Sequence, residues 1–497
     1  MGKQSRKRRQ KRNKKRRTTL VYTPLKEHVH AGKQLLPPFA KLEREIPIQR
    51  TDWAGERLPE MLWAALAIAG LGRDESIERF RRLGSYIAET CHADASRENV
   101  LSRVTFSGLA KWNEAEFQIF LDIIVGDDEK VFQSLLRFDS LPGFERWQKS
   151  LVETADSFDL LEHALALTLW HQAQEATDCR WMSVLAMLCG QKLHLPSKDL
   201  IREILEYPNY GDQQAVRPSI RANEGAVTAM EEKSGWPREF WKSAWEMTKD
   251  NHRTIQRRHP PAETAVTRDA VASLREMTLK HYSDTTQGTE VDARHDAAFG
   301  FSLYAIDILL DLLAFANASR ILARMALRSL AELAITFRAL AIRDDQSAWV
   351  KFRDYGYGQA KLAYLKLLDT ENLPGFVTVE TLEQLSNENV WHEFQSISIG
   401  NWDDADLRKL SETAKLKADV YDPYYDWTSA FVHANWAAIR DATYELCINP
   451  MHRLHRIPAS QPLALPDVIH DAAKLVNLTL DTLAQLYPGV DMKLKAD

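Results

Sequence analysis

The sequence predicts an all-α protein, two helical domains preceded by a disordered basic N-terminal tail. Three observations carry this. From about Glu56 onward, apolar residues recur at intervals of three and four, the period of one helical face. Alternating β-branched runs bounded by tight turns are almost absent. Only 20 glycines and 19 prolines punctuate 497 residues that are 45% hydrophobic, a composition for about two or three ordinary domains rather than a collagen-like, disordered or disulfide-stapled chain.

In chain order, residues 1–17 (MGKQSRKRRQKRNKKRR) hold eleven Lys or Arg and no acid. Like charges without apolar residues cannot offset the entropy lost on ordering, so this tail is expected to be disordered. Residues 18–55, with Pro24, Pro37, Pro38 and Pro47, read as an extended arm or linker. A first helical domain follows over 56–250. Its segments include ERLPEMLWAALAIAGLG, DESIERFRRLGSYIAETC, NEAEFQIFLDIIV, DEKVFQSLLRF, DLLEHALALTLWHQA and CRWMSVLAMLC. The helical pattern breaks at 250–266, around Pro260 and Pro261. A second helical domain is expected over 266–490, built on the most hydrophobic pair of helices, about 293–316 and 319–343, with later helices near 403–418, 419–448 and 466–487.

The net charge of −5 hides an asymmetry: without the eleven cations of the tail, 53 basic residues face 69 acidic ones, or −16. The tail cations Arg6, Lys7, Arg8, Arg9, Lys11, Arg12, Lys14, Lys15, Arg16 and Arg17 are therefore candidate contacts to RNA or DNA. Such binding would be blind to sequence and steeply salt-dependent, because each phosphate neutralised releases counterions. An anionic membrane surface, the acidic body of the chain itself, or a solubilising role are the other uses of such a tail. No signal-peptide apolar region follows it. The stretch MLWAALAIAGLG is too short to span a bilayer and 300–319 carries Asp307 and Asp311, so both read as core helices with no membrane span. Cys91, Cys179, Cys189 and Cys447 form no CxxC, which suits a reducing compartment, and a cytoplasmic location is expected.

Two constellations carry candidate chemistry. Arg320, Arg324, Arg328 and Glu332 stand at steps of four on an otherwise apolar helix, so part of this polar stripe should be buried and paired. It reads either as an anion-binding or catalytic pair or as an interhelical ion pair. Tyr425, Ser429 and His433, also at steps of four, place two hydroxyls and an imidazole on one helical face, where His433 is a candidate general acid or base. Ser429 has no GxSxG elbow, and a satisfied core histidine is the competing reading. Cys447, His452 and His455 lie within nine residues but lack a fourth ligand at a recognised spacing, so no metal is expected. His28 and His30 sit in the arm, outside any catalytic pattern. P-loop, Rossmann, zincin and EF-hand motifs are absent, and no cofactor is expected. Trp236, Trp241 and Trp245 read as core or interface anchors.

The order LRSLAEL, RDYGYGQAKL, NW and YDPYYDWTSAFVHAN resembles a widespread bacterial domain family of unknown function, whose members show an Arg-x-x-x-Glu helix and a late Tyr-x-x-x-Ser-x-x-x-His helix. The matching positions are Arg328, Glu332, Tyr355, Trp402, Tyr425, Ser429 and His433, within about residues 290–450. The resemblance implies an all-helical fold without an established activity, and the look of the family suggests bacterial stress or antiviral defence. A more distant similarity is to HEPN ribonucleases, through Arg275 and His281, although Glu276 stands where Asn, Asp or His usually follows the Arg.

Three readings follow. The first is a nucleic-acid- or partner-binding protein attracted through its tail. The second is a metal-independent ribonuclease, with His433 as acid or base and Arg328 facing the phosphate. The third makes both stripes structural, so that Arg328→Ala would strand a buried Glu332 at a cost of about 3–5 kcal/mol. The apolar helices of 293–343 would also suit a homo-oligomer interface.

Overall fold

The structure, a computed structural model, describes residues 25–37, 40, 51–151, 158–195, 197–209, 213–228, 234–250, 266–288, 292–314, 318–368, 370, 373–388, 395–489 and 493–495. The basic tail from Arg6 to Arg17, much of the arm, and Pro260 and Pro261 of the expected break lie outside the described residues. The fold is all-α, with two short two-stranded sheets: β1 (Val29–Ala31) with β2 (Gln34–Leu36), and β3 (Tyr444–Leu446) with β4 (Arg456–Pro458). The chain divides into two compact units. One comprises Met1–Arg253 and Leu446–Arg456, the other Thr254–Glu445 and Ile457–Asp497.

The first unit is organised around α1 (Leu62–Leu71), whose residues from Leu62 to Ile68 are all buried. A helix apolar on every side must be wrapped on every side. Against it lie α2 (Arg73–Ala93), α3 (Glu114–Ile124), α4 (Asp159–Thr168) and α5 (Gln174–Cys189); the unit also holds α6 (Gln213–Thr228), packed on α5, and α7 (Trp236–Met247). Aromatic rings fix the packing. Trp63 meets Phe80 and Phe120 edge-on at 5.6 and 5.0 Å, and Trp147 meets Phe106, Phe117 and Phe132 in the same way. α3 starts at a full capping box, Asn113 accepting from Glu116 N and Glu116 from Asn113 N, a device worth about 1 kcal/mol. The expected α-helix over 128–138 is instead a 3-10 run, Glu129–Arg137, which still buries Val131, Phe132 and Leu135.

The second unit holds α8 (Arg268–Thr285), α9 (Ala293–Ala314), α10 (Ile321–Arg343), α11 (Gln346–Leu367), α12 (Leu407–Thr413), α13 (Asp426–Val432), α14 (Trp436–Thr443) and α15 (Ile469–Leu486). Its core is the triple contact of α9, α10 and α15, closed by α8 along α9. Among the described residues, α9 is the one helix long and apolar enough to cross a membrane. Phe299, Ser302, Ile306 and Leu309 on its buried face join this core.

The single helix expected over 419–448 is divided. A π-type turn, Lys417–Tyr425, contains Pro423, and α13 then ends after about two turns because Ala434 adopts a left-handed φ of 48°. Asn435 restarts the chain as α14 by accepting from Ala438 N. Proline removes a helical donor and a positive φ cannot continue a helix, so the apolar periodicity survives while the helix does not.

Candidate functional site

The polar stripe on α10 resolves into three environments. Arg320 is exposed and donates to the carbonyls of Pro462 and Leu463. Arg324 is the buried member, yet its partners are main-chain carbonyls, those of Ala318, Arg320 and Pro466. Burial lowers its pKa, with Asp441 and Asp467 opposing. Arg328 donates through Nη2 to the Tyr425 hydroxyl at 2.7 Å, its guanidinium lies 4.6 Å from the centre of the same ring, and Tyr421 stacks on that ring. Glu332 stands 3.9 Å from Arg328 and is 49% exposed. The expectation of a buried Glu332 held by Arg328 is therefore corrected: the carboxylate faces solvent, and the aromatic ring is the main partner of the arginine.

Glu332 opens into a groove of about 580 Å³ in the second unit. Phe301 and Tyr304 of α9, Glu332 and Thr336 of α10, Phe352 and Tyr355 of α11, and Asn401 and Trp402 form its walls. The loop carrying Trp402 is fixed from several sides. Tyr355 donates to Gly400 O at 2.9 Å, Trp402 meets Phe352 edge-on at 5.4 Å, and Arg343 pairs with Asp403. Burial raises the Asp403 pKa, but the bond from Arg343 and other cationic and amide contacts outweigh it and hold the carboxyl below its ordinary value. At Gly358 a Cβ would lie 2.6 Å from Ser396 O, so only glycine lets α11 approach this chain segment so closely.

The Tyr-Ser-His constellation does not assemble as one helical face. Tyr425 precedes α13, Ser429 lies within it, and His433 caps its end. His433 is exposed, and among the described residues its imidazole has no hydrogen-bond partner. Arg328 and Tyr425 meet behind Glu332; Ser429 and His433 do not line the groove. The HEPN-like pair also diverges. Arg275 bonds Asp307 at 2.7 Å on the surface, whereas His281 is buried against Phe299 with Nε2 at 2.9 Å from Tyr487 O.

Residues 302–444 match a family of unknown function, DUF5677. No curated protein and no solved structure matches the chain. The DUF5677 segment contains Glu332, Tyr355 and Trp402, which line the groove, together with Arg328 and Tyr425 behind it, so five of the seven positions that carried the resemblance meet at one place. It excludes α8 and α15, which complete the core under α9 and α10.

The first unit contains a site that the sequence reading did not single out. A cavity of about 300 Å³ is lined by Arg57, Glu60, Ser107, Glu224, Ser234 and Trp241, among others. Glu60 accepts from Ser107 N and Oγ, at 2.9 and 2.6 Å, and from Ser234 Oγ. Glu224 lies between Arg57 and Arg180, and Arg180 also stacks on Trp53 at 4.0 Å and donates to His171 O. Burial lowers the Arg180 pKa to about 9 against the pull of Glu224. Two residues before Arg180, Asp178 binds Arg73 at 2.7 Å and the Tyr207 hydroxyl at 2.9 Å, and burial raises its pKa despite Arg73. The sequence signal was Asp178 and Arg180 inside the apolar run DCRWMSVLAMLC. Neither charge can be buried there without a distant partner.

Proposed function

We propose that this protein binds nucleic acid, with the basic residues 6–17 as the sequence-blind attraction. The carrying observation is the charge segregation: eleven cations and no acid in 17 residues, ahead of a body at −16 (53 basic, 69 acidic). The geometry of the second unit favours binding over cleavage. Arg328 is committed to Tyr425, and among the described residues His433 stands exposed without a partner, so these two residues, suited to phosphodiester chemistry, present no joined acid and base.

The test is anisotropy of labelled single-stranded RNA with wild type, a 1–17 deletion and His433→Ala, in EDTA across a salt series. Log affinity should fall linearly with log salt, the deletion should abolish binding, and His433→Ala should bind as wild type. Unchanged binding by the deletion would remove the tail from the function. RNA cleavage by wild type that His433→Ala lacks would replace this reading with a ribonuclease.

A further inference from the structure

Four donor atoms of the first unit converge near the end of α7. One donor atom from each of Asp250, Cys447, His452 and His455 lies within 4.8 Å of the other three. Cys447 and the two histidines are close in sequence; the fourth donor arrives from almost two hundred residues earlier. The local chain is shaped to bring them together. Cys447 N donates to His455 O at 3.0 Å, closing the loop between them, and a 3-10 turn, Pro450–His452, lies inside it. Asn449 caps that turn through Met451 N and also donates to Lys249 O at 2.8 Å, which fixes the loop to the segment carrying Asp250. Arg453 and Leu454 both take φ of 54°, a conformation costly for side-chain-bearing residues, and this returns His455 to the cluster.

Hydrogen bonding among these groups leaves His452 Nδ1 shared between two neighbours. His452 Nε2 is engaged by Thr248 Oγ1 at 3.0 Å, so Nδ1 is left to serve both Asp250 Oδ1 at 2.9 Å and Cys447 Sγ at 3.7 Å. If Nδ1 carries the proton it serves the carboxylate, and the fully buried Cys447 thiol has no acceptor there. If Nδ1 is bare it serves the thiol, and its lone pair faces a carboxylate oxygen at 2.9 Å. His455 Nε2 claims that same oxygen at 3.0 Å. A divalent cation removes the conflict, because thiolate, carboxylate and both imidazole lone pairs then point at one positive centre. Two anionic ligands also neutralise its charge.

We propose that Asp250, Cys447, His452 and His455 form a four-coordinate zinc site that fastens Leu446–Arg456 within the first unit. Thiolate with imidazole selects zinc over magnesium or calcium. A tetrahedral zinc, with Zn–S of about 2.3 Å and Zn–N and Zn–O of about 2.0–2.2 Å, sets its donors roughly 3.4–3.6 Å apart. The sulfur already stands 3.7 Å from Nδ1, Asp250 needs to withdraw by about half an ångström from each imidazole, and the remaining separations, none above 4.8 Å, close onto the ion. Thr248 on His452 Nε2 is the outer partner that orients a metal-ligating histidine, and Trp245, 4.5 and 5.0 Å from the two imidazole rings, forms an apolar wall. Asp250 and His455 are each about a third exposed, which leaves a path for the ion. With four protein ligands and no open position, the site is structural rather than hydrolytic.

The experiment loads the full-length, chelator-stripped chain with Zn²⁺ alone or Co²⁺ alone, then measures metal content after desalting, the cobalt spectrum, and the melting temperature with and without EDTA. Wild type should retain about one metal per chain, show a thiolate-to-cobalt charge-transfer band, and melt lower in EDTA. Asp250→Asn and His455→Ala, at the exposed edge, should keep the helical circular dichroism while losing stoichiometric zinc. Thr248→Val should weaken zinc about 10- to 100-fold. Cys447→Ser should lose the charge-transfer band. Substoichiometric metal in the folded wild type, or cobalt bound without a thiolate band, overturns the proposal.

Discussion

In the first unit Arg180 and Glu224 are each 2% exposed and meet across two helices, whereas in the second Arg328 and Glu332 stand one turn apart on α10 at 17% and 49% exposure. The residue types are the same and the physics is not. Arg180 and Glu224 have both given up water, so each depends on the other, on Arg57 and on the Trp53 ring. Glu332 has kept its water, and Arg328 is held by a tyrosine hydroxyl and a tyrosine face instead. A charged pair beside a cavity therefore stabilises the fold in one unit, while in the other it leaves a carboxylate available to whatever enters the groove.

The largest effect expected from this contrast is at Glu224. Glu224→Gln preserves volume but leaves Arg180 and Arg57 without their anion, and should cost about 3–5 kcal/mol in urea unfolding. A midpoint equal to that of wild type would show that Arg180 finds equivalent solvation without Glu224, and the contrast between the units would collapse.

In the second unit the ranking within the pair should invert the usual expectation. Arg328→Ala loses a hydrogen bond and a cation–π contact, together about 1–2 kcal/mol. Glu332→Gln should stay within about 0.5 kcal/mol of wild type, as a surface substitution does. A larger loss from Glu332→Gln than from Arg328→Ala would mean that the ion pair rather than the tyrosine holds Arg328. The same two variants bear on the groove, since Glu332 is the carboxylate that lines it.

How much of this was legible follows from the range of each interaction. The helices expected at 293–316 and 319–343 correspond to α9 and α10 within a few residues, because each buries a broad apolar face that leaves its period in the sequence. The same period misleads over 128–138, where a 3-10 run also buries its apolar side chains, and over 419–448, where Pro423 and the left-handed Ala434 divide one pattern into three helical pieces, followed by β3. His433 lost its place on a stripe for that reason. The stripe on α10 was visible at steps of four, but its partners were not: Tyr425 lies 97 residues from Arg328, and Arg324 is answered by carbonyls, which have no sequence signature. Asp250 was hidden in the same way from Cys447, His452 and His455, being 202 residues from the nearer histidine.

A smaller effect than that of Arg328→Ala separates charge from burial altogether. At the end of α10, Asp344 accepts from Arg294 Nε and Nη2 at 2.6 and 2.9 Å, and from Trp349 Nε1 at 3.3 Å, while remaining 41% exposed. The bond from Arg294 holds its carboxyl below the ordinary 3.8, against a smaller contrary push from burial. As pH falls, the unfolded chain therefore takes up the proton first. The contribution of Asp344 is complete above that ordinary value and is lost as the pH falls through the lower value of the folded state. Because the pair is largely solvated, the contribution should be under about 1 kcal/mol and shrink with salt. Melting curves of wild type and Asp344→Asn should differ most at neutral pH and low salt, and converge as the pH drops below 3.8. A gap that persists in acid would mean that Asp344 acts through the helix-end geometry it occupies, at a φ of 39°, rather than through its charge.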